Sequence, residues 1–549
     1  MKRTLMLVLV LLVSCGGGDD GGPAGPDTTP DVVGEDVATP EDTVEPEDGE
    51  PSDTLEEIGP DSLDVVDDSI AWPECPPLEA VSLRSLDEGV ADGALPLGEV
   101  FEADPGAAVT LPASAEGESF LLILYDLGTE MAKTHTYDVE AGRGAAPGGL
   151  PPHPQAWPTP PHPEVGEIET LQVGGNFLVN VEAEVVLVND VLVVYRDTTT
   201  EHPLEEPGMD HIQALADDFQ ALILPRERFL FGHESDVDGD GRFGMLISYQ
   251  VNLTGAYAFV THCDLVDSSV CGYGNHREMI YVAIPDPESM IKTPEAFAEL
   301  IAHELNHSIY FHRKFQLNDS VDWTENVYIS EGLSGLAQDL VGFNRGNLFV
   351  ALSGLGDVDL VSLPDIHRYD PGVHYFGDRD GPLRGASYLF NRYLFDRTGG
   401  ELMDAAGALE PACGVKTLRG WFDAYLTGAD LFEALTGLSY DDLAADFFTA
   451  LALSNRPGLE GVVAPAFTYL PVTTDPVTGN QRGVDLWGMI LGMVPMNGPM
   501  VKDVTDADGV LREGGVEYLR VDAAGPGGIT VTFDTGDAPA PRLRVVRIQ

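Results

Sequence analysis

The tightest constraint on this chain is five residues long: His303-Glu304-Leu305-Asn306-His307. It lies in a segment with helix signals of its own. Thr293 is a good N-cap, Pro294 suits the first helical position, and Glu295 favours the positive end of the helix. Phe297, Leu300, Ile301, Leu305 and Ile309 then recur at helical spacing. Two histidines four positions apart on a helix project from one face, so both can bind a single tetrahedral metal ion. Glu304 stands about 100° around the helix from His303, beside such a metal without ligating it, which is where a general base belongs. A motif this short also arises by chance, and it is the helical context that gives it weight.

Zinc needs a third protein ligand and an open position for water. The segment Ile329-Ser330-Glu331-Gly332-Leu333-Ser334 opens a second helix-like run through Leu340, with Glu331 24 residues beyond His307 (331 − 307). An HExxH followed by glutamate in such an "EG" helix resembles the gluzincins, and the similarity to the hyicolysin family of neutral zinc metallopeptidases is closer. The stretch AHELNHSIYF…W…SEGLSGLAQDLVG carries that resemblance, together with GASYLFNRYLFDRTGG at 385–400. It covers roughly 167–455. It implies zinc on His303, His307 and Glu331, Glu304 as general base, and a protein or peptide substrate. It also implies a mixed α/β lobe above a helical lobe with the cleft between them. Gly372-Val373-His374, ahead of an Ala-x-Tyr-Leu helix, resembles the surroundings of the transition-state histidine in thermolysin-like enzymes. His374 is therefore the expected oxyanion donor, with Tyr375 and Tyr388 as alternatives. The chain departs from the family in having Ser330 where gluzincins often have Asn. It also has Gly335 where thermolysin-like enzymes carry an Asp that orients a zinc histidine, which leaves Asp339 as the candidate orienter. His312, five residues past His307, falls on another helix face.

At the other end of the chain, Lys2 and Arg3 precede an apolar run, Leu5 to Val13, shaped like a signal peptide. Leu12-Val13-Ser14-Cys15 resembles a bacterial lipobox, which implies cleavage before Cys15, acylation of that cysteine and export to the periplasmic or cell-surface side of a membrane. Residues 16–74 hold twenty Asp and Glu and no Lys or Arg, too little apolar surface to offset the entropy of ordering, so 15–75 reads as an acidic tether after a 1–14 signal. The formal charge of −62 argues against nucleic acid as a partner and against docking to anionic headgroups.

About 475 residues remain (549 − 74), room for two or three domains. Short apolar runs and turn signals predict an N-terminal β domain over 76–146, a Pro-rich linker over 147–166 holding His153 and His162, and a C-terminal β domain over 456–549. Between them lies the metallopeptidase domain, 167–455. The expected class is multidomain, an α+β gluzincin core flanked by small β domains, as a monomer.

Setting Cys15 aside leaves Cys263 and Cys271, close enough for a loop disulfide, and Cys75 and Cys413, either a second pair or free thiols. Asp236-Val237-Asp238-Gly239-Asp240-Gly241 resembles the start of an EF-hand loop, but its twelfth position is Ile247 rather than Glu. Asp236, Asp238 and Asp240 are thus candidate calcium ligands needing completion from elsewhere, against a plain turn before a strand. Two other readings share the zinc motif: a catalytically idle surface binding protein on this scaffold, and a zinc hydrolase of a non-peptide bond.

Overall fold

The structure is a computed structural model. It describes residues 70–91, 95–103, 109–111, 118–125, 163–174, 178–199, 208–266, 271–284, 293–317, 327–357, 380–424, 426, 428–503, 515–522, 529–531 and 542–549. The fold is α+β with several sheets. Cys15, the acidic tether before residue 70, His153 and His374 with Tyr375 lie outside the described residues.

In chain order the first strands are β1 (Arg84–Ser85), β2 (Val100–Ala103), β3 (Val109–Leu111) and β4 (Ser119–Tyr125), with the short helix α1 (Leu86–Ala91) between the first two. Then come β5 (Ile168–Val173), β6 (Val179–Val188) and β7 (Leu192–Asp197). Helix α2 (Met209–Asp218) runs through a π-helical turn, Phe219–Ile223, into α3 (Leu224–Phe231). Strand β8 (Phe243–Ser248) is followed by α4 (Tyr249–Asn252), β9 (Ala258–Phe259) and β10 (Met279–Ala283). The helical part comprises α5 (Pro294–Tyr310), α6 (Val327–Val341), α7 (Arg345–Gly356), α8 (Asp380–Arg397), α9 (Cys413–Asp423), α10 (Gly428–Thr436) and α11 (Tyr440–Leu453). Short two-stranded hairpins β11 (Leu402–Met403) with β12 (Leu409–Glu410), β13 (Thr473–Thr474) with β14 (Gln481–Arg482) and β15 (Met489–Ile490) with β16 (Val494–Pro495) precede the last strands, β17 (Val501–Asp503), β18 (Val516–Asp522), β19 (Ile529–Val531) and β20 (Arg542–Arg547).

Strands β5 to β10 form one six-stranded mixed sheet in the order β5-β6-β7-β8-β10-β9, with β7, β8 and β10 parallel. Side chains alternate across it, as the period of two requires. Met245, Ile247, Ile280 and Val282 face the helices, whereas Leu246, Met279 and Tyr281 face the other side with Leu171, Val181 and Tyr195. Helix α5 lies against β9 and β10, α6 and α7 pack on it, and α8 packs in turn on α6 and α7. Its start matches the sequence expectation: the Thr293 hydroxyl accepts from Ala296 N–H (3.2 Å) and Pro294 is the first residue.

The two terminal segments, read from sequence as separate β domains, pair in a single sheet of order β1-β2-β20-β4-β18-β17. Its C-terminal strands are β17 (Val501–Asp503), β18 (Val516–Asp522) and β20 (Arg542–Arg547), while β19 (Ile529–Val531) pairs with β3. Strand β4 sits between β18 and β20, antiparallel to both, and its side chains Phe120 to Tyr125 are all buried. A six-residue apolar run has no solvent face, so it demands cover on both sides and a partner along each edge. Only the C-terminal strands supply the edges. One face of this sheet joins the helical core, where Tyr518 donates to Phe448 O (2.7 Å).

Two disulfides are present, Cys263–Cys271 and Cys75–Cys413. The second ties the start of the described chain to the first turn of α9. A buried ion network joins the C-terminal segment to α6. Asp475, fully buried, accepts from Arg226 (2.7 Å) and Arg482 (3.0 Å), and Arg226 also donates to Val341 O, the last residue of α6, and to Gly407 O. Removing the carboxylate alone would leave the buried Arg226 guanidinium without its paired carboxylate, while Arg482 keeps Glu401. Asp475→Ala should therefore cost about 3–5 kcal/mol, read as a shift in the denaturant midpoint at unchanged slope.

Candidate metal centre

Helix α5 is buried on every side from Phe297 to Tyr310, including its polar residues. Glu299, His303, Glu304, Asn306, His307 and Ser308 are all less than a tenth exposed, so each must find a partner within the fold. For the two histidines the partners come chiefly from α6. His303 Nε2 lies 3.1 Å from Glu331 Oε2 and 3.2 Å from His307 Nε2, and His307 Nε2 lies 3.7 Å from Glu331 Oε1. Ligands about 2.0–2.1 Å from a tetrahedral zinc ion are about 3.3–3.4 Å apart, so these three separations have the size of the edges of such a coordination shell. Glu304 is fully buried on the same helix, close enough that its charge acts on His303.

The outward nitrogens are held as well. His307 Nδ1 meets the Ser330 hydroxyl at 3.1 Å and that of Ser334 at 3.3 Å. His303 Nδ1 faces Gln338 Oε1 at 3.5 Å, and Gln338 Nε2 donates back to Glu299 O (3.1 Å). Residues 331, 334 and 338 of α6 thus share one face at i, i+3 and i+7. The sequence expectation had assigned the orienting role to Asp339. That side chain points elsewhere, accepting from Tyr388 OH (2.8 Å), Arg392 (2.9 Å) and Gly483 N–H (2.8 Å). Tyr388 is thereby fixed in the core and not aimed at the histidines. His312 pairs with Gln316 (2.7 Å), away from the cluster.

Electrostatics at the cluster follow burial and pairing. Burial drives the His307 imidazole down to about 3, against the pull of Glu331. His303 is raised despite its burial, because Glu331 hydrogen-bonds it and adds charge. Burial would raise Glu331, but Arg384 and the two histidines hold it well below the usual carboxylate range. Arg384, from the first turns of α8, is in direct contact with Glu331. The sequence reading missed it, since nothing in the spacing of 384 connects it to 331. Glu299, four residues before His303, was legible from helical periodicity. Its carboxylate, pushed up to about 7 by burial, accepts from Gly346 N–H (2.7 Å) and Asn347 N–H (3.3 Å) at the start of α7.

No protein-family model matches this chain, and no curated protein matches it.

Two further groups with metal-ligand chemistry occur among the described residues. His262, Cys263 and Cys271 are adjacent, but both sulfurs are joined in the disulfide. Asp236 and Asp238 converge with Glu278, a residue that the sequence reading did not select. Asp240, the third expected ligand, is not in that group and accepts from Arg242 N–H (2.7 Å).

The glycine after Glu331 has a packing reason. A Cβ on Gly332 would lie 2.0 Å from Ser387 Oγ and 2.2 Å from Asn391 Nδ2, so α6 and α8 can approach only because it is absent. Gly332→Ala should force the helices apart at Glu331, lowering stability by roughly 1–3 kcal/mol. Thermal unfolding of the purified variant checks this.

Proposed function

We propose that this chain is a zinc-dependent endopeptidase of the gluzincin type. The observation that carries the reading is the convergence of His303, His307 and Glu331 at separations of 3.1, 3.2 and 3.7 Å, with Glu304 beside them. The donor set fits zinc: two buried imidazoles and one carboxylate at the edge of burial, all on helices, is the composition of an open catalytic site. When bound, zinc supplies a Lewis acid that polarises a carbonyl and acidifies water.

The remaining chemistry belongs to the chain. Ser330 and Gln338 face the Nδ1 atoms, which directs both Nε2 atoms to the centre and sets the ring orientation. Glu304 takes the proton of the attacking water and returns it to the leaving amine. Neither Ser330 nor Gln338 can do this, because a hydroxyl and an amide are far weaker bases than a carboxylate. His374 is the expected oxyanion donor on resemblance, and Arg384 is the donor that the described residues place beside Glu331. Two disulfides suit an oxidising compartment, which supports export as a Cys15-anchored lipoprotein.

The test separates coordination from proton transfer. Glu304→Gln should keep bound zinc and the fold while losing about 10²- to 10⁴-fold in hydrolysis of casein. His303→Ala should lose zinc and activity together, because two remaining ligands hold the ion poorly. Near-parental turnover in Glu304→Gln would overturn the proposed mechanism even with zinc present.

A further inference from the structure

The Asp-rich loop before β8 plays no part in the chemistry above, yet it is built in detail. Asp236 Oδ1 accepts from Gly241 N–H (3.0 Å) and Asp238 Oδ1 from Asp240 N–H (3.2 Å), so one oxygen of each carboxylate is tied to the loop's own backbone. The turn needs glycines: Gly239 and Gly241 have φ of 70° and 73°. Such a loop is also a common acidic turn, and by itself it signifies nothing about a ligand.

The second observation comes from another strand. Glu278 immediately precedes β10, 40 residues after Asp238 (278 − 238), and only 1% of it is exposed. Its Oε1 accepts from Val237 N–H (3.0 Å), which brings the carboxylate over the loop. Its Oε2 is buried and makes no hydrogen bond of normal geometry, and neither does the buried Ser235 hydroxyl beside it. A buried carboxylate oxygen whose neighbouring donor, the Ser235 hydroxyl, stands outside hydrogen-bonding geometry costs free energy that a bound cation would recover. The nearby arginines make their hydrogen bonds to other groups: Arg277 donates to Glu169 (3.1 Å) and Tyr195 OH (2.9 Å), and Arg242 to Asn189 O (2.9 Å). Burial pushes Asp238 up to about 6, against the pull of Arg277, and Glu278 up to about 7, against the pull of Ser235 and the Val237 N–H.

We propose that Asp236, Asp238 and Glu278 form a calcium site that clamps the starts of β8 and β10. One oxygen from each lies within 4.8 Å of the others. Calcium binds oxygens at about 2.3–2.6 Å, so ligands across the ion stand up to about 5 Å apart, and the cluster fits that span. The donors are all hard oxygens, which favours calcium or magnesium over zinc. Magnesium gives up its waters reluctantly, and a largely buried set of three carboxylates suits calcium better. The clamp acts where the parallel pair begins: Gly244 N–H donates to Glu278 O (2.7 Å), and Met279 is in register with Gly244. Both strands carry the sheet on which α5 rests, so the ion stiffens the floor beneath the histidines without touching them.

The experiment uses the full chain, freed of calcium and checked for unchanged zinc content. Radiocalcium dialysis and thermal unfolding are read on the parent, Glu278→Gln and Asp236→Asn. Weak calcium binding to the acidic stretch 16–74 would be common to all three, so the readout is the difference at saturation of the tight class. The parent should hold one more calcium than either variant, with affinity weakened at least tenfold in both. Calcium should also raise the parent's unfolding midpoint by several degrees, since it binds only the folded chain. Magnesium at the same concentration should not reproduce the shift. Equal tight binding in parent and variants, or none in the parent, overturns the site; an equal response to magnesium overturns its assignment to calcium. Should Glu278→Gln fail to fold, the parent measurement and Asp236→Asn, whose side chain is at the surface, still decide the matter.

Discussion

The structure depends on one awkward helix. Helix α5 must be buried, because it carries an apolar face on the mixed sheet, yet its other face bears two carboxylates, two imidazoles and an amide that cannot be left unsatisfied. Two neighbouring helices supply partners, α6 with Ser330, Glu331, Ser334 and Gln338 and the start of α7 with two amides for Glu299, while α8 braces Glu331 with Arg384. The helical half of the fold can therefore be understood as the set of elements needed to satisfy that polar face.

Close approach makes this satisfaction geometrically accessible. Gly332 lets α6 meet α8, and a Cβ on Gly385 would come within 1.9 Å of Val350 O, so α8 also sits directly on α7. Small residues set the distance between helix axes, and that distance determines whether Glu331 reaches the histidines. The C-terminal segment holds the arrangement from behind: the Arg226–Asp475–Arg482 network fastens the end of α6, and Asp339 accepts from Gly483 N–H. The terminal sheet, closed by β4 between two C-terminal strands, braces α11 through the Tyr518 hydroxyl and so makes the chain's ends part of the same body.

Much of the candidate site was legible in the order of residues because its parts are local. His303 and His307 share a helical turn, Thr293 and Pro294 mark where the helix begins, and Glu331 opens the next periodic segment. The partners that read wrongly or not at all are those fixed by packing across helices. Asp339 and Gln338 are neighbours in sequence but point about 100° apart on α6, and which of them meets His303 follows from how α6 is rotated against α5. The Asp-rich loop behaves likewise. Three aspartates at alternate positions announced a loop, while Glu278 is brought to it only by the parallel pairing of β8 with β10.

The sequence by itself determined the helix, its N-cap, the face on which two imidazoles stand and the alternation of the strands, since each depends on spacing within one element. Tertiary structure alone decided that the two terminal β segments are one sheet, that Cys75 pairs with Cys413 across 338 residues, and that Arg384, Gln338 and Glu278 complete their clusters. The reason is physical. Local periodicity records which side of an element must be buried, but it carries no record of what will be buried against it, and buried polar groups are satisfied by whichever neighbour the packing brings within about 3 Å.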